Sequence, residues 1–151
     1  MIETAQVHTP LVRRLAQDFG ACWVDEHSVT DWAAAGGDRV VLLAGDPVRF
    51  PEGTDVAAVV PELMKSFPGR FVVAVVPRDH EDAVARRYGS QRWPALLFFR
   101  DGQYVTALCG MQDWEDFVRA VAQALAAPPS RAPTIGIPVV MQGAAGDSHC
   151  H

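Results

Sequence analysis

Two continuous apolar runs constrain the fold of this 151-residue chain more than any other feature. Residues 39–44 read Arg-Val-Val-Leu-Leu-Ala, and residues 71–76 read Phe-Val-Val-Ala-Val-Val. Neither run alternates apolar with polar residues and both contain β-branched side chains, so each predicts a strand buried on both faces. Such strands lie in the middle of a parallel sheet that helices cover on both sides. The chain is therefore predicted to adopt an α/β fold.

The segments around these strands predict helices and a hairpin. Thr9 and Pro10 are typical of a helix N-terminus, and apolar residues at helical spacing follow until Gly20. Residues 45–55 are rich in Gly, Pro and acids and predict a loop. The remaining predicted elements are a short strand at 21–24, a brief helix around Trp32, a helix over 56–67 bent at Pro61, a short helix over 81–88, a hairpin of strands 93–99 and 104–109, and a last helix from Asp113 to Pro128.

Composition excludes several classes of function. A net charge of −5 disfavours binding to nucleic acid or anionic lipid, because both require Lys and Arg to neutralise phosphate. No apolar run approaches the roughly 18 residues that a membrane helix needs. The N-terminus lacks a basic region followed by an apolar one, so no secretory signal is expected and the protein is predicted to be cytoplasmic. No glycine-rich nucleotide motif occurs, and no cofactor is expected.

The end of the chain differs in composition from the rest. Residues 128–151 include four prolines and several Gly, Ala and Ser residues, and only 135–140 are apolar enough to dock on a domain. We therefore predict one domain over residues 1–127 and a largely flexible tail over 128–151. The tail ends in His149, Cys150 and His151, which form a weak candidate metal site because imidazole and thiolate bind Ni, Zn or Cu.

A segment near the hairpin resembles the most recognisable stretch of the thioredoxin family. It runs from Tyr88 to Gly102, and the resemblance covers roughly residues 39–127. It implies a thioredoxin-like three-layer sandwich, in which a central mixed sheet is flanked by helices. Four landmarks keep their register: the proline that bends the helix after the active-site loop, the cis-proline, the hairpin glycine and the glycine after the last strand match Pro61, Pro94, Gly102 and Gly110.

The resemblance fails at the catalytic position of that family. Counted back from Pro61, the family's Cys-x-x-Cys falls on Gly53-Thr54-Asp55-Val56, which contains no thiol. Dithiol exchange needs an attacking and a resolving sulfur, so this chemistry is not expected here.

A closer resemblance is carried by residues 40–47, 60–63, 67–68, 92–96, 110–114 and 132–140. In these segments the chain resembles the hydrogenase-1 expression protein family (HyaE/HoxO/HupG type), whose members are thioredoxin-like and lack Cys-x-x-Cys. The resemblance implies a dedicated cytoplasmic chaperone, not an enzyme. Such a chaperone engages the twin-arginine signal peptide of the small subunit of an uptake NiFe hydrogenase before export, with other hydrogenase accessory proteins as further partners.

The loop before the cis-proline and the acidic loops beside it predict a peptide-binding site. An extended peptide can pair with the backbone of this loop by β-augmentation, while a tryptophan stacks on its side chains. Carboxylates are bidentate partners for two adjacent arginines. The predicted peptide-binding residues are Arg92, Trp93, Pro94, Asp46, Glu52 and Asp55, with Asp79, Glu81 and Asp82 as a second acidic group.

Simpler roles stand beside these assignments. The acids can be solvated, Glu81 and Asp82 suit the first turn of a helix, and Trp93 can be a core residue. The alternative functions are a monothiol redox protein that uses Cys109 or Cys22, and a metal carrier that uses the tail. Both cysteines are nevertheless expected to be buried apolar residues at opposite edges of the sheet. Surface positions are expected for the isolated histidines His8, His27 and His80.

Overall fold

The structure is a computed structural model and describes residues 8–133. Its helices are α1 Pro10–Phe19, α2 Val29–Ala34, α3 Glu52–Ser66, α4 Glu81–Arg87 and α5 Trp114–Ala126, and its strands are β1 Cys22–Trp23, β2 Asp38–Leu43, β3 Val72–Val75, β4 Ala95–Arg100 and β5 Gln103–Cys109. These elements follow the predicted order. Helix α3 is longer than predicted, because it begins at Glu52 and includes part of the predicted loop. Pro51 before it and the acids in its first turn also suit a helix start.

The five strands form one mixed sheet in the order β1-β3-β2-β4-β5. The two apolar runs pair in parallel, with Val41 opposite Ala74, and β4 runs antiparallel to β2, with Leu97 opposite Val41. The hairpin turns at Asp101 and Gly102, and both residues have positive φ. This topology confirms the predicted thioredoxin-like fold.

Helices cover both faces of the sheet and give two apolar cores. One core joins α1, α3 and α5 through residues such as Leu15, Val60 and Phe117. The other lies under α2 and α4 and includes Val29 and Val84. Because β2 contributes side chains to both cores, its apolar run must be continuous, as the sequence indicated. The molecule therefore has the three layers that were predicted.

The segment after α5 stays close to the sheet as far as the structure describes it. The Arg100 guanidinium donates to the carbonyl oxygens of Ala127 and Leu125, at 2.6 Å and 2.8 Å. The Ser130 N–H donates to the Tyr104 carbonyl oxygen at 2.7 Å, and the Ser130 hydroxyl group donates to the Val105 carbonyl oxygen at 2.8 Å. The apolar residues 135–140 and the terminal His149, Cys150 and His151 lie outside the described residues, so the boundary of the flexible tail stays a prediction.

The described cysteines lie at opposite edges of the sheet, as expected. Cys22 is on β1 and Cys109 ends β5. Since neighbouring strands are about 4.8 Å apart, the two edges are separated by about 19 Å, well beyond disulfide reach. The expected burial of both is wrong: Cys22 is exposed, because β1 is a two-residue edge strand, and Cys109 is half-buried. Within residues 8–133, no helix is long and apolar enough to cross a membrane.

Candidate functional site

Loops from four neighbouring strands meet at one end of the sheet. The chain leaves β2, β3 and β5 at this end and enters β4 there, because β4 is antiparallel to both β2 and β5. All the residues predicted for peptide binding lie in these loops or in the first helical turn after them. The end of the sheet at which β2 stops is therefore the candidate site.

We refer to the loop before β4, residues 88–94, as the docking loop, after the role that the sequence predicts for it. The peptide bond between Trp93 and Pro94 is cis, and Pro94 is buried. The Pro94 carbonyl oxygen accepts a hydrogen bond from the Gly110 N–H at 2.8 Å, which fixes the loop against the end of β5. The side chain of Arg92 is exposed. Within residues 8–133, no backbone hydrogen bond engages Arg92 or Trp93, so their polar groups are available to an extended partner.

Trp93 packs on a platform that the sequence analysis did not include. Its ring stacks on Phe50 with centroids 6.1 Å apart and an interplanar angle of 28°. Gly45 lies beneath both rings, and a Cβ there would be 3.1 Å from each. The Arg49 guanidinium lies over the Phe50 ring, 5.2 Å from its centroid. Trp93 is therefore half-buried against the core, and its stacking on a peptide stays a prediction.

The position of the missing nucleophile is sterically closed. A Cβ added to Gly53 would lie 2.1 Å from the carbonyl oxygen of Ala44, far inside van der Waals contact. Val56, at the second thiol position, is 1% exposed and belongs to the core. The first turn of α3 thus packs directly on the end of β2, and no side chain fits where a thiolate would stand.

This packing predicts an unusual sign for a helical glycine substitution. Gly53→Ala is expected to lower the free energy of unfolding by about 2 kcal/mol or more, although Gly→Ala inside a helix usually stabilises by about 0.5–1 kcal/mol. Urea unfolding followed by circular dichroism measures the change. The double variant Gly53→Cys, Val56→Cys is expected to lack insulin-reducing activity, with Val56→Cys alone as the control. Stabilisation by Gly53→Ala, or reductase activity in the double variant, would contradict the closed geometry.

Apart from Glu81, four of the five predicted carboxylates are exposed at this end of the sheet. Asp46 is half-buried and accepts a hydrogen bond from the Val48 N–H at 2.9 Å, which shapes the loop after β2. Glu52 and Asp55 are exposed in the first turn of α3. Asp79 is exposed in the turn before α4, and Asp82 is exposed in α4 itself. Two cationic side chains, Arg49 and Arg92, are also exposed at the site. The site therefore has more acidic than basic groups but contains both.

Glu81 does not belong to this surface, and its predicted contact with a peptide is wrong. Its side chain is completely buried. One carboxylate oxygen accepts from the Ala44 N–H at 2.9 Å, and the other accepts from the Gly45 N–H at 3.2 Å. The Arg78 guanidinium lies 3.4 Å from the carboxylate. The carboxylate thus satisfies backbone donors that continue past the end of β2, where no further strand pairing reaches them.

His8 completes the buried network, and its expected place on the surface is also wrong. Its Nε2 lies 3.0 Å from the Glu81 carboxylate, and its Nδ1 accepts from the Thr9 N–H at 3.1 Å. Because Nδ1 accepts, Nε2 carries the proton that is donated to Glu81. A lone histidine far from Glu81 in sequence gave no signal of this contact.

The network predicts a large stability effect at a position that resembles a surface acid in the sequence. Glu81→Ala is expected to lower the free energy of unfolding by about 3 kcal/mol, because the N–H groups of Ala44 and Gly45 lose their acceptor in a buried place. Denaturant titration of the purified variants measures it. Asp82→Ala, one residue along and exposed, is the matched control and is expected to cost less than about 1 kcal/mol. Equal losses would contradict a structural role for Glu81.

A metal centre is not evident in the part of the chain that is described. Within residues 8–133, no group of three or more His, Cys, Asp or Glu side chains is arranged to hold an ion. The only sequence candidate, residues 149–151, lies beyond this range.

A protein with this sheet order and no thiol at the start of the helix after β2 is a thioredoxin-like protein without a dithiol centre. The model of the family Hydrogenase-1 expression protein HyaE matches residues 11–117, and the chain belongs to this family.

Relatives with similar names support this assignment. Hydrogenase expression/formation protein HoxO of Cupriavidus necator is 50% identical over 150 residues, which cover 98% of this chain and 93% of the relative. HupG of Bradyrhizobium diazoefficiens is 36% identical, and the match covers 87% of this chain and 88% of the relative. The crystal structure of a candidate hydrogenase expression/formation protein hupG from Rhodopseudomonas palustris is 36% identical, covers 70% of this chain and 95% of that one, and has a TM-score of 0.49. Family membership gives the chain a role in hydrogenase maturation.

Proposed function

We propose that the protein is a non-catalytic, cytoplasmic chaperone that binds the twin-arginine signal peptide of the small subunit of an uptake NiFe hydrogenase before export. The observation that carries the proposal is a docking loop with unpaired backbone groups beside a nucleophile position that no side chain can fill. The proposal is supported by exposed acids and an aromatic pair at the site, and by the absence of thiols from residues 53–56.

The backbone supplies the first part of the proposed binding. An extended peptide lies along Arg92 and Trp93 and makes backbone hydrogen bonds that these residues do not make within residues 8–133. The Trp93 and Phe50 rings form the floor on which peptide side chains pack.

The arginine pair supplies the second part. Glu52 and Asp55 are exposed in the first turn of α3, and Asp79 and Asp82 are exposed beside the neighbouring strand end. Each charged hydrogen bond contributes roughly 1.5–3 kcal/mol when desolvated and less when exposed. Arg49 and Arg92 oppose a purely electrostatic attraction, so the arginines are recognised through local bidentate pairs.

The two alternative functions have less support from the geometry. Cys22 is exposed, which a monothiol mechanism needs, but β3 and β2 separate it from the docking loop. Cys109 lies opposite Ala95, next to the docking loop, but is half-buried. The metal-carrier alternative rests on residues 149–151, outside the described residues.

The arginine contacts predict a specific dependence on the peptide. A labelled peptide with an Arg-Arg pair is expected to bind at least tenfold tighter than versions with Lys-Lys or Gln-Gln, measured by fluorescence anisotropy. The variant Glu52→Gln, Asp55→Asn is expected to remove most of this preference. Glu62→Gln, an exposed acid further along α3, is the matched control. Equal affinity for the three peptides would contradict recognition of the arginines.

The backbone contacts predict a separate effect. A series of peptides is N-methylated at one residue at a time, which removes one N–H donor and leaves every side chain unchanged. At least one position within the docked segment is expected to lose affinity tenfold or more, and affected positions are expected at alternate residues. A series with uniform affinity would show that the docking loop does not pair with the peptide backbone.

A further inference from the structure

Two large apolar side chains remain exposed immediately beside the docking loop. Met111 is 40% exposed and Trp114 is 45% exposed, and neither packs into a core. Val118 lies one helical turn after Trp114, on the same face of α5. Trp114, Glu115, Val118 and Arg119 line a shallow, open concavity on that face. We refer to Met111, Trp114 and Val118 as the α5 surface.

The α5 surface begins directly after the residue that is hydrogen-bonded to the docking loop. Gly110, whose N–H donates to the Pro94 carbonyl oxygen at 2.8 Å, directly precedes Met111. The loops after β3 and β2 carry the exposed acids on one side of the docking loop, and the chain that leaves β5 lies on the other side. A peptide that crosses the strand ends therefore passes from the acids, over the docking loop, to the α5 surface.

The rim of the α5 surface indicates the charge of its partner. Asp113, Glu115 and Asp116 are exposed around Trp114, and Arg119 is paired with Asp116 at 2.9 Å. An apolar patch with this rim favours an apolar segment whose flanking charges are basic. Large exposed apolar side chains next to a groove are typical of a binding surface.

We infer that the α5 surface binds an apolar stretch on one side of the arginine pair, in the same peptide that pairs with the docking loop. The inference rests on the proposed function and adds a second specificity element to it. The arginines and the apolar stretch are then recognised at opposite sides of the docking loop, and a peptide needs both for full affinity.

A panel of four synthetic peptides tests the inference. Each carries Arg-Arg or Gln-Gln, followed by about 12 residues that are either Leu/Ala-rich or substituted with Ser and Asn. They are titrated against the full chain and its variants Trp114→Ala and Met111→Ser. Val72→Ala is the control, because Val72 is 47% exposed at the far end of the sheet. Circular dichroism and urea unfolding confirm that each variant is folded.

Trp114→Ala and Met111→Ser are each expected to weaken the Arg-Arg, Leu/Ala-rich peptide about tenfold and to leave the Ser/Asn-substituted peptide unchanged. Val72→Ala is expected to change neither. An affinity for the Leu/Ala-rich peptides that does not depend on Trp114 and Met111 would overturn the inference and leave the arginine recognition intact.

Three further outcomes decide the inference and the proposed function together or apart. If the Gln-Gln, Leu/Ala-rich peptide binds as tightly as the Arg-Arg one and still depends on Trp114, the inference stands and arginine recognition fails. If no peptide binds the unmodified chain, both fail. If light scattering shows a dimer that Trp114→Ala dissociates, the α5 surface is an interface between two copies, which also overturns the inference.

Discussion

The buried carboxylate of Glu81 is the contact on which the site depends. Beyond the end of β2, the N–H groups of Ala44 and Gly45 have left the strand ladder, and the carboxylate accepts from both. His8 and Arg78 surround the same carboxylate, so its charge is hydrogen-bonded and opposed by a cation. One side chain thereby fixes the chain before α1, the end of β2 and the start of α4 relative to one another.

The fixed end of β2 determines two parts of the site, the aromatic pair of Trp93 and Phe50 and the packing at Gly53. Gly45 leaves room for the rings of Trp93 and Phe50 because it has no side chain. The carbonyl oxygen of Ala44 leaves no room for a side chain at Gly53. A dithiol oxidoreductase of this fold needs space for a thiolate at that position, and here the carbonyl group of Ala44 occupies it. The packing of α3 on β2 therefore excludes a dithiol centre at this position, beyond the replacement of two cysteines.

The proposed peptide binding by the docking loop does not depend on that chemistry. Backbone pairing needs only unpaired N–H and C=O groups on a rigid loop, and Pro94 is held by Gly110 while the groups of Arg92 and Trp93 stay unpaired within residues 8–133. The proposed chaperone role requires reversible binding without a covalent step, for which unpaired backbone groups and exposed apolar side chains suffice. This division of labour agrees with membership in a family of hydrogenase expression proteins.

The sequence by itself determined the α/β fold, the order of its elements and the absence of a thiol pair, because hydrophobic periodicity, turn residues and cysteine positions are local properties. It also placed the docking loop, since Pro94 and Gly102 lie in one continuous segment. Only the tertiary structure decided that Glu81 is a buried anchor and that Phe50 lies under Trp93. The acid in the first turn of α4 looks the same in sequence whether it is solvated or buried. Its role was set by backbone donors and a histidine that lie far from it along the chain and meet it only in the folded protein.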